Sequence, residues 1–135
     1  MSNVHYNMGV VLQRLGENDQ ASEYMHKAVA GYREDLAESP NSAKIVSRLG
    51  SALAGVGNFS QATEYFQQAV NLNPYDATNH STLAQALVIQ ERYDEAIAGL
   101  REAVSFMLHI GDKEAAAKLQ KQLELVEFRK SKQKE

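Results

Sequence analysis

Residues 48–74 read RLGSALAGVGNFSQATEYFQQAVNLNP and combine helical spacing with many small side chains. Val46, Leu49 and Leu53 follow the i, i+3, i+7 spacing of one helical stripe. The segment GVGNFS then interrupts the helix with two glycines. A second stripe follows it, formed by Ala62, Phe66, Ala69 and Val70. The stretch therefore predicts a hairpin of two amphipathic helices.

The same pattern occurs three times along the chain. Three segments align without a gap when they start at His5, Val46 and His80. Large apolar residues share four columns, which read Met8, Leu49, Leu83; Leu12, Leu53, Leu87; Met25, Phe66, Leu100; and Val29, Val70, Val104. Small residues share three columns, which read Gly9, Gly50, Ala84; Ala21, Ala62, Ala96; and Ala28, Ala69, Ala103. Fixed columns of this kind are typical of a helical repeat array.

The small columns indicate where helices cross closely. A large side chain on one helix needs a small residue opposite it if the two backbones are to approach. Gly50, Ala62 and Ala69 are predicted to be such holes. Leu53 and Phe66 are predicted to fill them. Glycine inside an isolated helix costs about 0.5–1 kcal/mol relative to alanine, so close packing must offset that cost.

These columns resemble the tetratricopeptide repeat, whose pattern of small and large residues they follow. The resemblance covers about residues 3–109, and its best match is Leu49, Gly50, Leu53, Ala62, Phe66, Ala69 and Pro74. The early tryptophan of the family is absent, and His5, Val46 and His80 stand in its column. The resemblance implies an all-α fold, a right-handed superhelical stack of three helix–turn–helix hairpins with a C-terminal capping helix.

The spacing between repeats is uneven. Ala62 and Ala96 are 34 residues apart, which is the usual period, whereas Ala21 and Ala62 are 41 apart. The extra residues fall in a stripe that continues through Tyr32, so we expect the second helix of the first hairpin to be about two turns longer. That helix should end before Ser39-Pro40. Ser39 and Asn73 each precede a proline and are expected to cap the next helix.

The C-terminal segment predicts one further helix. Asp112 can cap a helix that begins at Lys113, and its apolar stripe is Ala116, Leu119, Leu123 and Val126. A terminal helix with one polar face closes the end of a repeat array. The expected organisation is a single domain over residues 1–135. Its parts are repeat 1 at about 3–39, repeat 2 at about 41–73, repeat 3 at about 75–109 and the capping helix at about 112–130.

Composition narrows the class of function. The chain has no cysteine, four histidines and a net charge of −3, with −6 on residues 1–112 and +3 on residues 113–135. No HExxH motif, paired-carboxylate spacing or Ser/His/Asp spacing is present, so we expect no catalytic residues, no metal site and no cofactor. The basic tail is interrupted by glutamates, so we expect neither nucleic-acid nor membrane binding. No apolar run approaches a membrane span, and we expect a soluble, cytoplasmic protein.

The resemblance implies a concave groove lined by the first helix of each hairpin, a surface that binds peptides in such arrays. The residues expected to face it are Tyr6, Asn7, Val10, Gln13, Ser47, Arg48, Ser51, Gly55, Ser81, Thr82, Gln85 and Val88. Family branches that hold acidic termini use paired cations here, and this set has one arginine. A neutral or weakly polar peptide therefore fits better. Alternatively, the groove is only solvated or is filled by the terminal helix of the chain itself.

The predicted function is a non-catalytic scaffold for protein–protein interaction. The alternative is a C-terminal accessory or assembly segment of a larger repeat-containing enzyme such as a glycosyltransferase. Both are open because no cap precedes the first hairpin, as expected for a piece of a longer array or for a self-associating chain. Self-association would take the form of a weak homodimer that covers an apolar set of Val4, Met8, Val11, Leu15 and Met25.

Overall fold

The computed structural model describes residues 1–133, and every regular element in that range is an α-helix. The seven helices are α1 (Ser2–Arg14), α2 (Asn18–Glu38), α3 (Ala43–Gly55), α4 (Phe59–Leu72), α5 (Ala77–Ile89), α6 (Tyr93–His109) and α7 (Lys113–Gln133). The predicted all-α class and the pairing of helices into hairpins are confirmed.

The turns inside the hairpins share one hydrogen-bond pattern. After α1, α3, α5 and α6, a backbone N–H donates to the carbonyl five residues earlier, at 2.8–2.9 Å. This is the Schellman arrangement, which needs a left-handed residue just past the helix. Gly16, Gly57 and Gly111 supply that residue, with φ of 80°, 85° and 83°. Glu91 occupies the corresponding position after α5, with φ of 60°.

The helix starts differ from the prediction in one respect. Ser39 and Asn73 do not cap the helices that follow them. Ser42 caps α3, accepting a hydrogen bond from the backbone N–H of Ile45 at 3.2 Å. Asp76 caps α5, accepting from Thr78 at 2.9 Å. The reason is that the chain turns after each proline before it re-enters a helix, so the capping oxygen comes from a residue further on.

Helix lengths agree with the repeat spacing. α2 has 21 residues and α4 has 14, a difference of about two turns. α2 ends at Glu38, immediately before Ser39-Pro40, as predicted. The extra turns bury Tyr32, whose hydroxyl donates a hydrogen bond to the Asn3 side chain on α1.

The small columns are close helix crossings, as predicted. A Cβ added at Gly50 would lie 2.7 Å from Cε1 of Phe66, so the ring fills the space that a larger residue would need. Ala62 and Ala69 are fully buried. In the first hairpin, Gly9 faces Met25 in the same way, with 3.0 Å from its hypothetical Cβ to Cε of Met25.

The chain forms two compact units. Unit 1 contains α1 to α4, and unit 2 begins at Asn73 and contains α5 to α7. In unit 2, α7 packs against α6 and α5, and Asp112 caps it by accepting from Ala115 at 3.1 Å. Its predicted stripe, Ala116, Leu119, Leu123 and Val126, is buried. The assignment of residues 1–135 to a single domain stays a prediction, and its last two residues lie outside the described range.

Candidate functional site

Unit 2 contains a cavity between α5 and α7. Its volume is about 400 Å³. Three of the residues predicted for the groove, Ser81, Thr82 and Gln85, line it from α5. α7 forms the opposite wall, and a hydrogen bond from the Gln122 amide to the Ser81 carbonyl at 3.0 Å joins the two helices. Three of the four predicted groove residues of the third repeat therefore border this cavity, whereas Val88 does not line it.

The cavity offers polar groups for a ligand. Within residues 1–133, neither the Ser81 hydroxyl nor the Gln85 amide has a hydrogen-bond partner. The Thr82 hydroxyl is occupied, because it donates to the Thr78 carbonyl at 2.8 Å. A hydroxyl and an amide together supply donors and acceptors, which are the groups that a peptide backbone requires.

The sequence predicted α7 as a cap, or alternatively as a helix that fills the groove, and did not predict that α7 forms a wall of this cavity. Its lining residues are Asp112, Glu114, Ala115, Lys118 and Leu119. A signal for this role was available. Ala116, Leu119 and Leu123 repeat the spacing of Val46, Leu49 and Leu53, and Asp112 caps α7 as Ser42 caps α3. α7 is thus equivalent to the first helix of a further repeat.

The charges at this cavity largely cancel. Glu114 and Lys118 form an i,i+4 ion pair on the surface of α7, with 3.6 Å between Nζ and Oε1. Asp112 has one carboxylate oxygen engaged as the helix cap. The α5 wall has no charged residue, since Ala77–Ile89 contains no Asp, Glu, Lys or Arg. The cavity is therefore polar with little net charge.

In unit 1, two of the predicted groove residues bind each other. The side-chain amide of Gln13 on α1 donates to the Gly55 carbonyl on α3 at 2.9 Å. Gly55 also packs against Met25, with 2.8 Å from its hypothetical Cβ to Sδ. Gly55 is therefore a structural contact between α3 and α2, which makes it less available to a ligand than the prediction assumed.

Arg48 lies near the buried Tyr32 of α2. Burial raises the pKa of Tyr32 above its ordinary value of 10.0, and the nearby Arg48 guanidinium partly opposes that rise. Tyr6 is also close enough to influence the pKa of Tyr32. No carboxylate within residues 1–133 forms an ion pair with Arg48. Arg48 is the one cation among the predicted groove residues.

The twelve predicted groove residues are all at least partly accessible. Three are exposed: Asn7, Gln13 and Gln85. Nine are half-buried: Tyr6, Val10, Ser47, Arg48, Ser51, Gly55, Ser81, Thr82 and Val88. Unit 1 holds eight of them and unit 2 holds four. Their role as one peptide site stays a prediction.

A second cavity, of about 530 Å³, lies between α6 and α7. Two ion pairs border it, one between Arg101 and Glu127 at 3.1 Å and one between Lys130 and Asp94. These pairs attach the basic segment of α7 to α6. On α7, the charge of Lys130 is therefore paired with a carboxylate of α6, and the charge of Glu127 is paired with an arginine of α6.

The outer face of α1 carries an apolar stripe. Val4, Met8, Val11 and Leu15 are 58%, 42%, 50% and 70% exposed. This agrees with the predicted exposed set except at Met25, which is 1% exposed. Met25 is buried because its side chain fills the space between Gly9 and Gly55. The stripe on α1, defined by those four residues, is called the α1 stripe below.

Two further features bear on the class of site. Among residues 1–133, no three side chains from His, Asp and Glu come together as metal ligands would. Across the same residues, none of the helices combines the length and the apolarity that crossing a lipid bilayer requires. His80 has a structural contact, with 2.8 Å between its ring Nε2 and the Pro74 carbonyl oxygen.

Comparisons with solved structures give the same fold. A tetratricopeptide domain of yeast Sti1 in a pHsp70 complex has a TM-score of 0.68 at 17% identity, covering 93% of this chain and 98% of that one. PcrH in complex with the chaperone binding region of PopD has a TM-score of 0.63 at 19% identity, covering 95% and 92%. The Yersinia enterocolitica translocator chaperone SycD has a TM-score of 0.62 at 15% identity, covering 96% and 85%.

Sequence comparison adds a curated relative and two family models. The human protein O-mannosyl-transferase TMTC1 is 29% identical over 90 residues, which are 67% of this chain. The match spans only 9% of the length of that relative. Two tetratricopeptide repeat models match residues 1–74 and 53–123, so that together they cover all three hairpins and the start of α7. The chain belongs to the tetratricopeptide repeat family.

Proposed function

We propose that the chain is a non-catalytic scaffold that binds a peptide or protein segment, with α5 and α7 of unit 2 forming the binding groove. The observation that carries this proposal is the cavity between α5 and α7. It has the concavity, the accessible side chains and the unused hydrogen-bonding groups that a peptide site requires. Ser81 and Gln85 are the residues assigned to ligand contact there.

The chemistry of the cavity favours a neutral peptide. An extended peptide presents backbone N–H and C=O groups, and the Gln85 amide can both donate to and accept from them. The α5 wall has no charge to balance an acidic terminus, and Lys118 on α7 already pairs with Glu114. A carboxylate-rich ligand would therefore lack a partner in this cavity.

Relatives of the same fold support the class of ligand. PcrH is described in complex with a region of PopD, SycD with a peptide of YopD, and the yeast Sti1 domain in a pHsp70 complex. At 15–19% identity these likenesses concern the fold, so the identity of the ligand is not carried over.

The experiment is selection from a phage-displayed library of random short peptides, followed by measurement of the affinity of the enriched peptide. We expect neutral, polar sequences to be enriched. The Gln85→Ala variant should bind the enriched peptide about fivefold more weakly, because one hydrogen bond is worth about 1 kcal/mol. Gln68→Ala, an exposed glutamine on α4, is the matched control and should bind normally. No enrichment, or equal binding by both variants, would contradict the proposal.

A second candidate is an accessory segment of a larger enzyme. The observation that favours it is the match to TMTC1, a protein described as a mannosyl-transferase. The genomic reading frame upstream of Met1 distinguishes the two candidates. A catalytic domain encoded in frame would favour the accessory segment, and a stop codon with a start signal would favour the separate scaffold.

We also propose that the chain forms a weak homodimer through the α1 stripe. A contiguous apolar surface of this kind usually marks an interface. One solved structure of SycD, a relative by fold, is described as an alternative dimer. A cytoplasmic location and the absence of nucleic-acid and membrane partners remain predictions from the sequence.

A further inference from the structure

We infer that the exposed side of α7 binds an acidic segment of another protein, one that forms an amphipathic helix. The surface consists of Lys121, Leu125, Phe128, Arg129 and Lys132 and is called the α7 outer face below. None of these residues lines the cavity between α5 and α7 or the cavity between α6 and α7. The inference therefore adds a second binding surface to the proposed peptide site and does not depend on it.

The five residues form one band along α7. Lys121, Leu125, Phe128 and Lys132 follow the spacing i, i+4, i+7, i+11, which keeps them on one side of a helix, and Arg129 lies four residues after Leu125. Leu125 and Phe128 are 66% and 59% exposed, whereas the apolar stripe on the inner side of α7 is buried. The Lys132 ammonium lies 5.5 Å from the centroid of the Phe128 ring, so positive charge and apolar surface are contiguous.

The cations of the α7 outer face are short of carboxylates. Lys121 and Arg129 are exposed, and within residues 1–133 neither of them forms an ion pair. Glu124 lies at the edge of the face, where its carboxylate accepts a hydrogen bond from the Gln120 amide at 3.3 Å. Three cations therefore surround two exposed apolar side chains, with one carboxylate at the edge, and the face is net positive.

Charge complementarity selects the chemistry of the partner. A partner that covers this face must bury Leu125 and Phe128 and must also meet the cations beside them. An amphipathic helix with large apolar residues on one side and flanking Asp or Glu does both, because its apolar side packs on the pair while its carboxylates reach the cations. A neutral or basic segment would leave Lys121 and Arg129 without compensation next to the contact.

A second copy of the chain does not supply this complement. Among the helices described within residues 1–133, α1 is the only other one with more than one exposed large apolar side chain. Ser2–Gln13 of α1 contains no Asp or Glu, so it offers no carboxylate to the cations. Two copies of the α7 outer face would bring like charges together, which is unfavourable.

A lipid surface and a nucleic acid also fit this face less well. An interfacial helix inserts a broad apolar side into the bilayer, whereas Leu125 and Phe128 are the only large apolar side chains that α7 exposes. Affinity for a nucleic acid needs several phosphate contacts that act together, and this face offers few cations. Both ligands are included in the test below.

The size of the face limits the affinity. From Lys121 to Lys132 the band is about 16 Å long. One helix packed along that length buries less than the roughly 800 Å² per partner of a standard interface. Binding should therefore be weak, and it should weaken further as salt is added, because exposed charges are screened.

Fluorescence anisotropy with a designed peptide and the full chain tests the inference. The probe is a labelled helix of about five turns, with leucine at every third or fourth position and glutamate on both sides of the leucines. One control peptide carries lysine in place of every glutamate, and a second has the same composition in scrambled order. We expect the acidic peptide to bind more tightly than either control, and we expect added salt to weaken its binding.

Variants of the chain locate the bound peptide. Lys121→Glu and Arg129→Glu should each weaken binding roughly fivefold at low salt, and Phe128→Ala should weaken it about tenfold. Lys44→Glu makes the same change of charge at an exposed position on α3 and should bind as wild type. Gln85→Ala, in the cavity between α5 and α7, should also bind as wild type. Circular dichroism should show unchanged helix content in each variant, because all of these positions are exposed.

Each contrary outcome overturns the inference. Absence of binding, or equal binding of the lysine peptide, would show that the face does not select an acidic partner. Equal losses for Lys44→Glu and Lys121→Glu would show a diffuse effect of charge. A loss in Gln85→Ala that matches Lys121→Glu would place the peptide in the cavity between α5 and α7, which would leave the proposed function standing. Tighter binding to phosphatidylserine vesicles or to an oligonucleotide, abolished by Lys121→Glu, would assign the face to lipid or to nucleic acid instead.

Discussion

α1 and α3 occupy the same position in successive repeats and have the same length, yet they are buried very differently. Leu49 on α3 is fully buried, whereas Met8 in the same column of α1 is 42% exposed. Within unit 1, α3 packs against both α2 and α4, while α1 packs mainly against α2. A repeat column therefore determines which residue faces a neighbour, and the neighbouring helix determines whether that residue becomes core.

The largest expected effect separates these two helices directly. Leu49→Ala should lower the free energy of unfolding by about 2–5 kcal/mol, since it leaves a cavity between packed helices. Met8→Ala should cost about 1 kcal/mol or less, because much of that side chain is already in water. Urea unfolding followed by circular dichroism, at low micromolar concentration to avoid association, measures both. Equal costs would contradict the assigned difference in burial.

The glycines of the two helices should also respond differently. Gly50→Ala places a Cβ 2.7 Å from the rigid ring of Phe66 and should destabilise by about 1–2 kcal/mol after the gain in helix propensity. Gly9→Ala places its Cβ 3.0 Å from Met25, an adaptable side chain. The gain in helix propensity from glycine to alanine, about 1 kcal/mol, should therefore offset the crowding against Met25. The same unfolding assay applies, and a stabilising Gly50→Ala would show that the crossing is looser than described.

Tyr32 gives the α1–α2 contact a dependence on pH. Its pKa is raised by burial, so the folded state favours the neutral phenol, which donates to Asn3. The stability gained from this group is complete below about pH 10, the ordinary pKa of tyrosine, and is lost as the pH rises through the folded-state pKa. Wild type should exceed Tyr32→Phe by about 1 kcal/mol at neutral pH.

That advantage should shrink as the pH is raised above 10, measured by urea unfolding at a series of pH values. Asn3→Ala is the control, because it removes the hydrogen-bond acceptor but leaves a buried phenol to titrate. It should therefore lose stability at neutral pH and keep the alkaline decline. A constant difference between wild type and Tyr32→Phe across the range would refute the raised pKa.

The smallest predicted effect concerns the turns that follow α1, α3 and α5, the first helices of the three hairpins. Gly16 after α1 and Gly57 after α3 have positive φ, but Glu91 after α5 adopts the same region with a side chain. A left-handed conformation costs roughly 1–2 kcal/mol for a residue with a Cβ. Glycine avoids this cost, but it loses more conformational entropy on folding, which offsets part of the stabilisation. Glu91→Gly should therefore raise the free energy of unfolding by about 0.5–1 kcal/mol. A loss of stability would mean that the Glu91 side chain has a stabilising contact.

The repeat columns and the repeat period predicted the helices and their close crossings, because both depend on local spacing. The positions of Gly50, Ala62 and Phe66, and the extra turns of α2, follow directly from columns and period. The capping residues could not be predicted in this way. Ser39 and Asn73 each precede a proline, as a helix cap often does, but the chain turns after the proline and the caps are Ser42 and Asp76. Met25 was expected to be exposed because the first hairpin was predicted to be uncapped, but its side chain is enclosed by Gly9 and Gly55.

The site was predicted in part for a similar reason. Ser81, Thr82 and Gln85 lie on the predicted face of α5, which a helical period identifies. The opposite wall is formed by α7, and the helical period of α5 does not reveal which helix packs against it. The match of Asp112, Leu119 and Leu123 to the first-helix pattern is the sequence signal that α7 completes the cavity.

Amide chemical shifts of the labelled chain, recorded with and without the selected peptide, test the central claim most directly, because they locate the bound ligand. We predict that the largest changes fall on Ser81, Thr82 and Gln85 of α5 and on Lys118 of α7, with none along the α1 stripe. Changes confined to Val4, Met8 and Val11, or to the cavity between α6 and α7, would contradict the assignment of the peptide site.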